Sequence, residues 1–210
     1  MPRVAGVALE PRKTPVQARS AASVEAMLEA AVQVLLKEGK ERLTTRKVAD
    51  RAGVSVGTLY QYFPNKSALL QAVLRDHLDG VARTTERVCG KMKGSTLDAM
   101  ATALVEEFMR AKMLHVETSR ALYSVSDDVR GAEIARQNAA RNSAVVAAML
   151  ESAEERLKED AQVVAAIVLA TMAGVSRRIL ESQLRDGELE AMQRGLVTTV
   201  RAYLAACVAG

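Results

Sequence analysis

An all-α protein is predicted here, and three observations predict it. The four prolines are Pro2, Pro11, Pro15 and Pro64, so nothing from Asn65 to Gly210 must break a helix, and that stretch is rich in Ala, Leu, Glu, Arg and Met. Aromatic residues make up 3% of the chain and β-branched residues rarely alternate with polar ones, which leaves strand signals weak. Apolar residues recur at the spacing of a helical face in one segment after another. A length of 210 residues, 49% of them hydrophobic and 26% charged, suits a soluble globular chain with a sizeable core. The expected architecture is about nine helices: a basic arm at 1–19, a three-helix domain at 20–66 and a larger helical domain at 67–210.

Residues 1–19 hold three of the prolines and a charge of +3, from Arg3, Arg12, Lys13 and Arg19 against Glu10. They read either as a flexible basic arm or as a plain disordered terminus. A first helix is predicted over 22–38, where Val24, Met27, Leu28, Ala31 and Leu35 share one stripe and Gly39 is placed as a C-terminal cap. Short helices follow at 45–52 and 55–63. Asn65 is placed to cap a longer one running to about Val88. Gly90, Gly94 and Ser95 mark a break. A helix over 97–112 then sets Leu97, Met100, Leu104, Val105 and Phe108 on one face. A shorter one covers about 115–124, and Asp127-Asp128 opens a long one through Arg156. The last two, about 159–183 and 189–206, are separated by Asp186-Gly187. No internal repeat or low-complexity tract is visible.

The net charge of +4 is unevenly spread. Residues 1–66 carry 11 basic against 6 acidic side chains, while residues 67–210 carry 18 against 19. A basic front on a near-neutral body points to a polyanionic partner for the front, although charge alone equally describes a solvated basic surface. Cys89 and Cys207 lack paired spacing and read as free thiols in a reducing compartment, with a redox role for Cys89 as the alternative to a buried structural thiol. His77 and His115 have no neighbours at metal-ligand spacing, so neither a metal site nor a cofactor is expected. Glu10 and Pro11 end the run Val4–Leu9 before it resembles a signal core. The longest apolar run, Val163–Val175, spans 13 residues and reads as a helix buried nearly all round rather than a membrane span. No membrane partner and a cytoplasmic location are therefore expected.

The specific signal lies between Leu43 and Lys66. Val48, Ala52, Val54 and Leu59 can close a small core between two crossed helices, with Ala49 small at their closest approach. Gly53 falls where a tight turn needs positive φ, and Ser55 offers an oxygen to cap the next helix. These features together have the spacing of a helix-turn-helix, and a mere helical corner would leave the outward polar series Arg46, Ser55, Thr58, Gln61 and Lys66 unexplained.

At these residues the chain resembles the tetracycline-repressor (TetR) family. The match is carried by Thr44-Thr45-Arg46-Lys47, Ala49, Ala52-Gly53-Val54-Ser55, Gly57-Thr58-Leu59-Tyr60, Phe63, Lys66 and Leu69-Leu70, and it covers about residues 22–75. The remainder is similar to the family in length and helical character alone. The resemblance implies a homodimer with one DNA-reading head per subunit, a dimer core from the last two helices and a small-molecule pocket among the middle ones.

A recognition helix of this kind lies in the major groove with its N-terminal end near the base edges. Thr44, Thr45, Ser55, Tyr60 and Lys66 suit phosphate contacts, and Arg46 can fork onto a guanine. Thr58, Gln61 and Tyr62 can reach bases, Val56 can meet a thymine methyl, and Gly57 lets the backbone approach. For Tyr60 the other reading is a ring packed on the first helix with only its hydroxyl outward. Val56 and Gln61 depart from some relatives, which leaves the operator sequence open but not DNA binding.

The larger domain is less explicit. Met100, Leu104, Phe108 and Met113 read either as an adaptable ligand pocket or as an ordinary helical core. Arg120, Tyr123, Asn138 and Asn142 can orient a ligand or make interhelical hydrogen bonds, and the two asparagines share a helix face. The dimer surface is expected from Val163, Val164, Ile167, Ala170, Thr171, Gly174 and Val175, extended by Ile179, Leu196, Val200, Tyr203 and Leu204. No nucleophile elbow, phosphate loop or His-Glu-x-x-His is present, so the chain is not expected to be an enzyme. The reading is a DNA-binding regulator of an inverted-repeat operator, released by an unidentified small molecule. An activator or nucleoid-associated protein with the same head, and a helical ligand carrier that does not bind DNA, are the alternatives.

Overall fold

Nine α-helices and one short 3₁₀ turn carry the described residues 18–182, 184–185 and 187–209 of this computed structural model, with no strand among them beyond an isolated bridge between Leu157 and Val208. The helices are α1 (Ala18–Arg42), α2 (Thr45–Ala52), α3 (Val56–Tyr62), α4 (Lys66–Met92), α5 (Leu97–Met113), α6 (Val116–Val125), α7 (Gly131–Leu150), α8 (Ala161–Glu181) and α9 (Glu188–Ala206). Residues 1–17 of the expected basic arm, and Asp186 of the last turn, lie outside the described residues, while Ala18 and Arg19 already belong to α1.

The helices form two compact units. The first comprises the described residues up to His77 together with Arg120–Ile134. Met27 and Ala31 of α1, Val48 and Ala49 of α2, Leu59 of α3, then Phe63, Ala68 and Leu69 are all buried in it. Gly39 takes φ 76° and breaks α1 near its end, as its expected capping position requires. The carboxamide of Asn65 accepts from Ala68 N at 2.8 Å and so caps α4. Gln71 Nε2 donates to the Val129 carbonyl at 3.0 Å, which ties the 3₁₀ turn to α4 inside this unit.

The second unit comprises Leu78–Ser119 and the described residues from Ala135 onward. Here α5 packs along α9, and α8 on α9. One core runs through Met100, Leu104, Met109, Val146, Met149, Val164, Val168, Met172, Leu196, Val200 and Leu204. The segment after α7 is stitched to the start of α5: Gly94 N donates to Ser152 Oγ at 3.1 Å, Glu154 N to the Ser95 carbonyl at 3.2 Å, and Leu97 N to Glu155 Oε2 at 2.8 Å. Arg141 of α7 pairs with Asp79 and Glu86 of α4. Cys89 is buried, and burial pushes its thiol up to about 11, so it stays a protonated, unreactive core group at neutral pH.

Several sequence expectations are corrected. Helix α4 continues through Gly90 to Met92, because an isolated glycine costs a helix only about 1 kcal/mol and does not stop it. The stretch expected as one helix from Asp127 to Arg156 instead opens with a 3₁₀ turn at Ser126–Val129. Arg130 then adopts φ 55°, and α7 begins at Gly131 and ends at Leu150. Helix α8 is not buried all round. Val164, Ala165, Val168 and Met172 face the core, while Val163 and Ile167 are 55% and 43% exposed. Among the described residues α8 is the one helix long and apolar enough to cross a membrane, yet only a third of that stretch is buried.

Candidate nucleic-acid interface

The hydrogen bonds that shape α2 and α3 come from the residues expected there. Thr44 Oγ1 caps α2 by accepting from Lys47 N at 3.3 Å. Gly53 turns the chain with φ 68° and ψ 28°, and its N–H bonds back to the Ala49 and Asp50 carbonyls. A Cβ there would meet nothing within 4 Å, so the requirement for glycine lies in the backbone angle rather than in crowding. Ser55 Oγ caps α3, accepting from Thr58 N at 2.9 Å and lying 2.8 Å from Thr58 Oγ1. Leu59 is fully buried and anchors α3, while Val48 and Ala49 anchor α2. Ala52 and Val54, expected in the same small core, are partly buried.

With the inner faces fixed, the outer residues follow. Thr44, Arg46, Ser55, Gly57, Tyr60 and Gln61 are exposed, and Thr45, Val56, Thr58, Tyr62 and Lys66 are partly buried. The Tyr60 hydroxyl lies 3.0 Å from Thr45 Oγ1, so α2 and α3 present a pair of hydroxyls side by side. Tyr60 itself stays 42% exposed. Such a pair can donate to one phosphate. Arg46 makes no ion pair among the described residues. Its neighbours are committed inward. Lys47 pairs with Glu38 of α1 and donates to the Arg42 carbonyl at 3.1 Å, and Arg51 Nε donates to Gln33 Oε1 at 2.6 Å. The hydrogen bond from Lys47 holds the Glu38 carboxyl below the usual carboxylate range. Two nearby cations thus clamp α2 to α1, and Arg46 is left facing outward.

Lys66 has a second role that spacing alone did not show. Its ammonium donates to the Lys40 carbonyl, near the end of α1. A lysine carries three donor hydrogens, so the clamp leaves two for a phosphate. Lys66→Ala is therefore expected to weaken binding to all DNA sequences alike and to lower the salt slope of log K by about one. It should also lower the melting temperature, which Lys66→Arg would largely restore. Titration at several salt concentrations alongside thermal unfolding separates the two effects, and an unchanged salt slope would remove Lys66 from the interface.

The residues expected around a small molecule are only partly brought together. Met100 and Leu104 are fully enclosed in the second core, and Phe108 lies at its edge. Met113 instead lines an open groove of about 810 Å³ between α5 and α9, with Val105, Met109, Leu114, Val197 and Arg194. Asn138 and Asn142 lie on α7 in the same unit, whereas Arg120 and Tyr123 belong to the first unit. Sequence reasoning missed Lys112, one helical turn beyond Phe108, whose Nζ lies 6.0 Å from the centre of that ring. The column Met100–Leu104–Phe108 continued by one step would have found it.

Known proteins place this arrangement. Among curated relatives, the chain is 34% identical over 110 residues to the HTH-type transcriptional repressor KstR of Mycobacterium tuberculosis, covering 51% of this chain and 50% of that one. It is 34% identical over 86 residues to the uncharacterised HTH-type regulator YvkB of Bacillus subtilis, covering 41% and 45%. The chain thus spans about half the length of the curated relatives it matches. Among solved structures, a TetR-family regulator from Mesorhizobium loti aligns over 92% of this chain and all of that one with a TM-score of 0.75 at 17% identity. SmeT, the repressor of a Stenotrophomonas maltophilia multidrug efflux pump, aligns over 89% and 90% with a TM-score of 0.66 at 22% identity. These structural likenesses speak for the fold. The description "Bacterial regulatory proteins, tetR family" matches residues 27–73, and "Tetracyclin repressor-like, C-terminal domain" matches residues 96–204. With both the head and the body of the chain matched, this protein belongs to the TetR family.

Proposed function

We propose that this chain is a homodimeric transcriptional repressor that binds an inverted-repeat operator through α2 and α3 and is released from it by a small molecule. The observation that carries the reading is the division of labour in the first unit. Leu59, Val48 and Ala49 and the caps at Thr44 and Ser55 fix the two helices, and Arg46, Tyr60 and Gln61 are left exposed. Arg46 and Gln61 would read base edges with Thr58 and Tyr62, Val56 would meet a thymine methyl over Gly57, and Thr44, Thr45, Ser55, Tyr60 and Lys66 would hold phosphates. KstR is named a repressor and SmeT the repressor of an efflux pump, and these names support the sign of regulation. Selection of bound fragments from genomic DNA tests the reading: an inverted repeat with half-site centres about one helical turn apart, or a multiple, is expected. An absence of enrichment would sink it in favour of a carrier that does not bind DNA.

The dimer would form on α8 and α9. Val163, Ala166, Ile167, Ala170 and Gly174 lie exposed on α8, and Ala191, Gly195, Thr198, Ala202 and Ala205 form an exposed small-residue stripe on α9. Val164, Ile179, Leu196, Val200 and Leu204, expected on that surface from sequence, are spent in the subunit's own core. A Cβ on Gly174 or Gly195 would meet nothing within 4 Å, so the subunit's own packing asks for neither glycine. Close approach of a second copy's helices would use both, and a self-complementary face is what a two-fold axis needs.

For release, α4 is the element to bias. It is one helix whose residues to His77 belong to the first unit and whose residues from Leu78 belong to the second. A ligand that favours one setting of α4 shifts the equilibrium only through its differential affinity for the two states. Reciprocity follows: bound operator should weaken effector binding by the same factor by which effector weakens operator binding, typically about 5–150-fold. Calorimetry with and without operator reads this directly, and equal effector affinity in both titrations would end the allosteric reading.

A further inference from the structure

Between positions 40 and 66 the cationic side chains are Lys40, Arg42, Arg46, Lys47, Arg51 and Lys66. The chain itself engages all but two of them. Lys40 pairs with Asp128 at 2.8 Å and Lys47 with Glu38, Arg51 Nε donates to Gln33 Oε1, and Lys66 Nζ donates to the Lys40 carbonyl. Arg42 and Arg46 are exposed and make no ion pair or side-chain hydrogen bond among the described residues. Arg46 has a place in the function proposed above, as a reader of bases. Arg42 has none so far.

The backbone that carries Arg42 is nonetheless fixed. Gly39 takes φ 76° and breaks the course of α1, and Leu43 N closes the following turn on the Gly39 carbonyl at 3.2 Å. Leu43 is buried and anchors that turn. The Arg42 carbonyl accepts from Lys47 Nζ at 3.1 Å, and Lys47 N donates to Thr44 Oγ1 at 3.3 Å. Arg42 is thus held against the first turn of α2. It stands two residues before Thr44 and three before Thr45, whose hydroxyl lies 3.0 Å from that of Tyr60. Two residues of chain span at most about 7 Å, which an extended arginine side chain can reach across.

A cation at this place could instead serve the end of α1, where the last carbonyls lack partners. Those carbonyls are already taken: Leu43 N holds that of Gly39, Lys66 that of Lys40, and Lys47 that of Arg42 itself. The charge of Arg42 also helps to lower the pKa of Glu38, but that carboxylate already has Lys47 as its ion-pair partner. A guanidinium that the fold does not use therefore stands beside the hydroxyls of Thr44, Thr45 and Tyr60.

We propose that Arg42 is a further DNA contact, which grips a backbone phosphate next to the one held by those hydroxyls and widens the footprint of each head by one phosphate. The proposal rests on the reading of α2 and α3 as the DNA-binding face and adds a contact that precedes both helices. The first helix of a helix-turn-helix crosses the sugar-phosphate backbone instead of entering the groove, so a side chain ahead of it meets phosphate and not base edges. The planar fork of arginine suits two phosphate oxygens at once, and such a contact fixes register without carrying sequence.

The test uses the full chain, a selected operator duplex and an unrelated duplex. Wild type, Arg42→Ala and Arg42→Lys are titrated at several salt concentrations and melted without DNA. Arg42→Ala should weaken binding to both duplexes about tenfold per head at low salt, as expected for loss of a charge-assisted hydrogen bond. It should lower the slope of log K against log salt by about one per head, and Arg42→Lys should keep that slope. Neither variant should change the melting temperature, whereas a role in capping α1 would lower it in Arg42→Ala. A scan of the operator with single uncharged methylphosphonates then locates the contact. One position per half-site should weaken wild type and leave Arg42→Ala unaffected, since the two changes remove the same interaction. An unchanged salt slope in Arg42→Ala, or no such position, overturns the proposal and leaves α2 and α3 as the DNA-binding face. A loss confined to one base pair, in place of a uniform loss, overturns it in favour of a base contact. A wild-type chain that binds neither duplex sinks this contact together with the DNA-binding reading.

Discussion

Ile167→Glu is expected to yield a folded monomer that no longer holds its operator. Ile167 is 43% exposed on α8 and is not part of the subunit's core, so the change leaves the fold almost untouched. In a two-fold dimer the same change would bury two carboxylates against an apolar face formed with Val163, Ala166 and Ala170, where neither finds a partner. Loss of the dimer turns simultaneous engagement of two half-sites into two independent weak events, and operator affinity should fall about 10²–10⁴-fold. Ultracentrifugation at micromolar concentration, circular dichroism and gel shift together read the outcome. Val164→Ala is the contrasting control: Val164 is fully buried three residues before Ile167, so it should lower stability and leave assembly intact. A dimer that persists in Ile167→Glu with wild-type operator affinity would move the interface off this face.

That control also marks what could be read from sequence. The apolar run Val163–Val175 announced an important helix but not its orientation, because both faces of α8 are apolar and no polar stripe tells inside from outside. Only packing decides that Val164 and Val168 go to the core and Val163 and Ile167 do not. The head was legible almost to the residue: α2 falls at the expected bounds and α3 within one residue of them, because capping, turn and packing demands at Thr44, Gly53, Ser55 and Leu59 all agree. Between α6 and α7 the signals conflicted. Asp127-Asp128 looked like a helix start, but the chain completes a 3₁₀ turn there and restarts after Arg130 in a left-handed conformation, which an arginine rarely adopts. In the second unit the spacing left core and pocket indistinguishable: Met100 and Leu104 are enclosed in the core and Phe108 lies at its edge, as the period of a core helix allows.

Arg46→Ala should cost about 1–3 kcal/mol of operator binding per half-site, and a symmetric dimer incurs that loss twice. The magnitude follows from the position. Arg46 sits in the first turn of α2, exposed and outside any ion pair among the described residues, while Lys47 and Arg51 on the same short helix are tied to α1. Its removal leaves the fold intact, so the loss falls on binding. A guanidinium that forks onto a guanine carries sequence information, whereas an ammonium on a phosphate does not. Arg46→Ala should therefore relax specificity at one base pair per half-site, and Lys66→Ala should weaken every sequence equally. Arg46→Lys sharpens the test, since it keeps the charge but loses the planar pair of donors. A base-reading role predicts that Arg46→Lys retains the salt slope yet loses most of the discrimination at that pair. A phosphate role predicts near wild-type behaviour. Binding measured against the selected operator and a version substituted at that pair distinguishes them, and full discrimination in Arg46→Ala would remove Arg46 from sequence readout altogether.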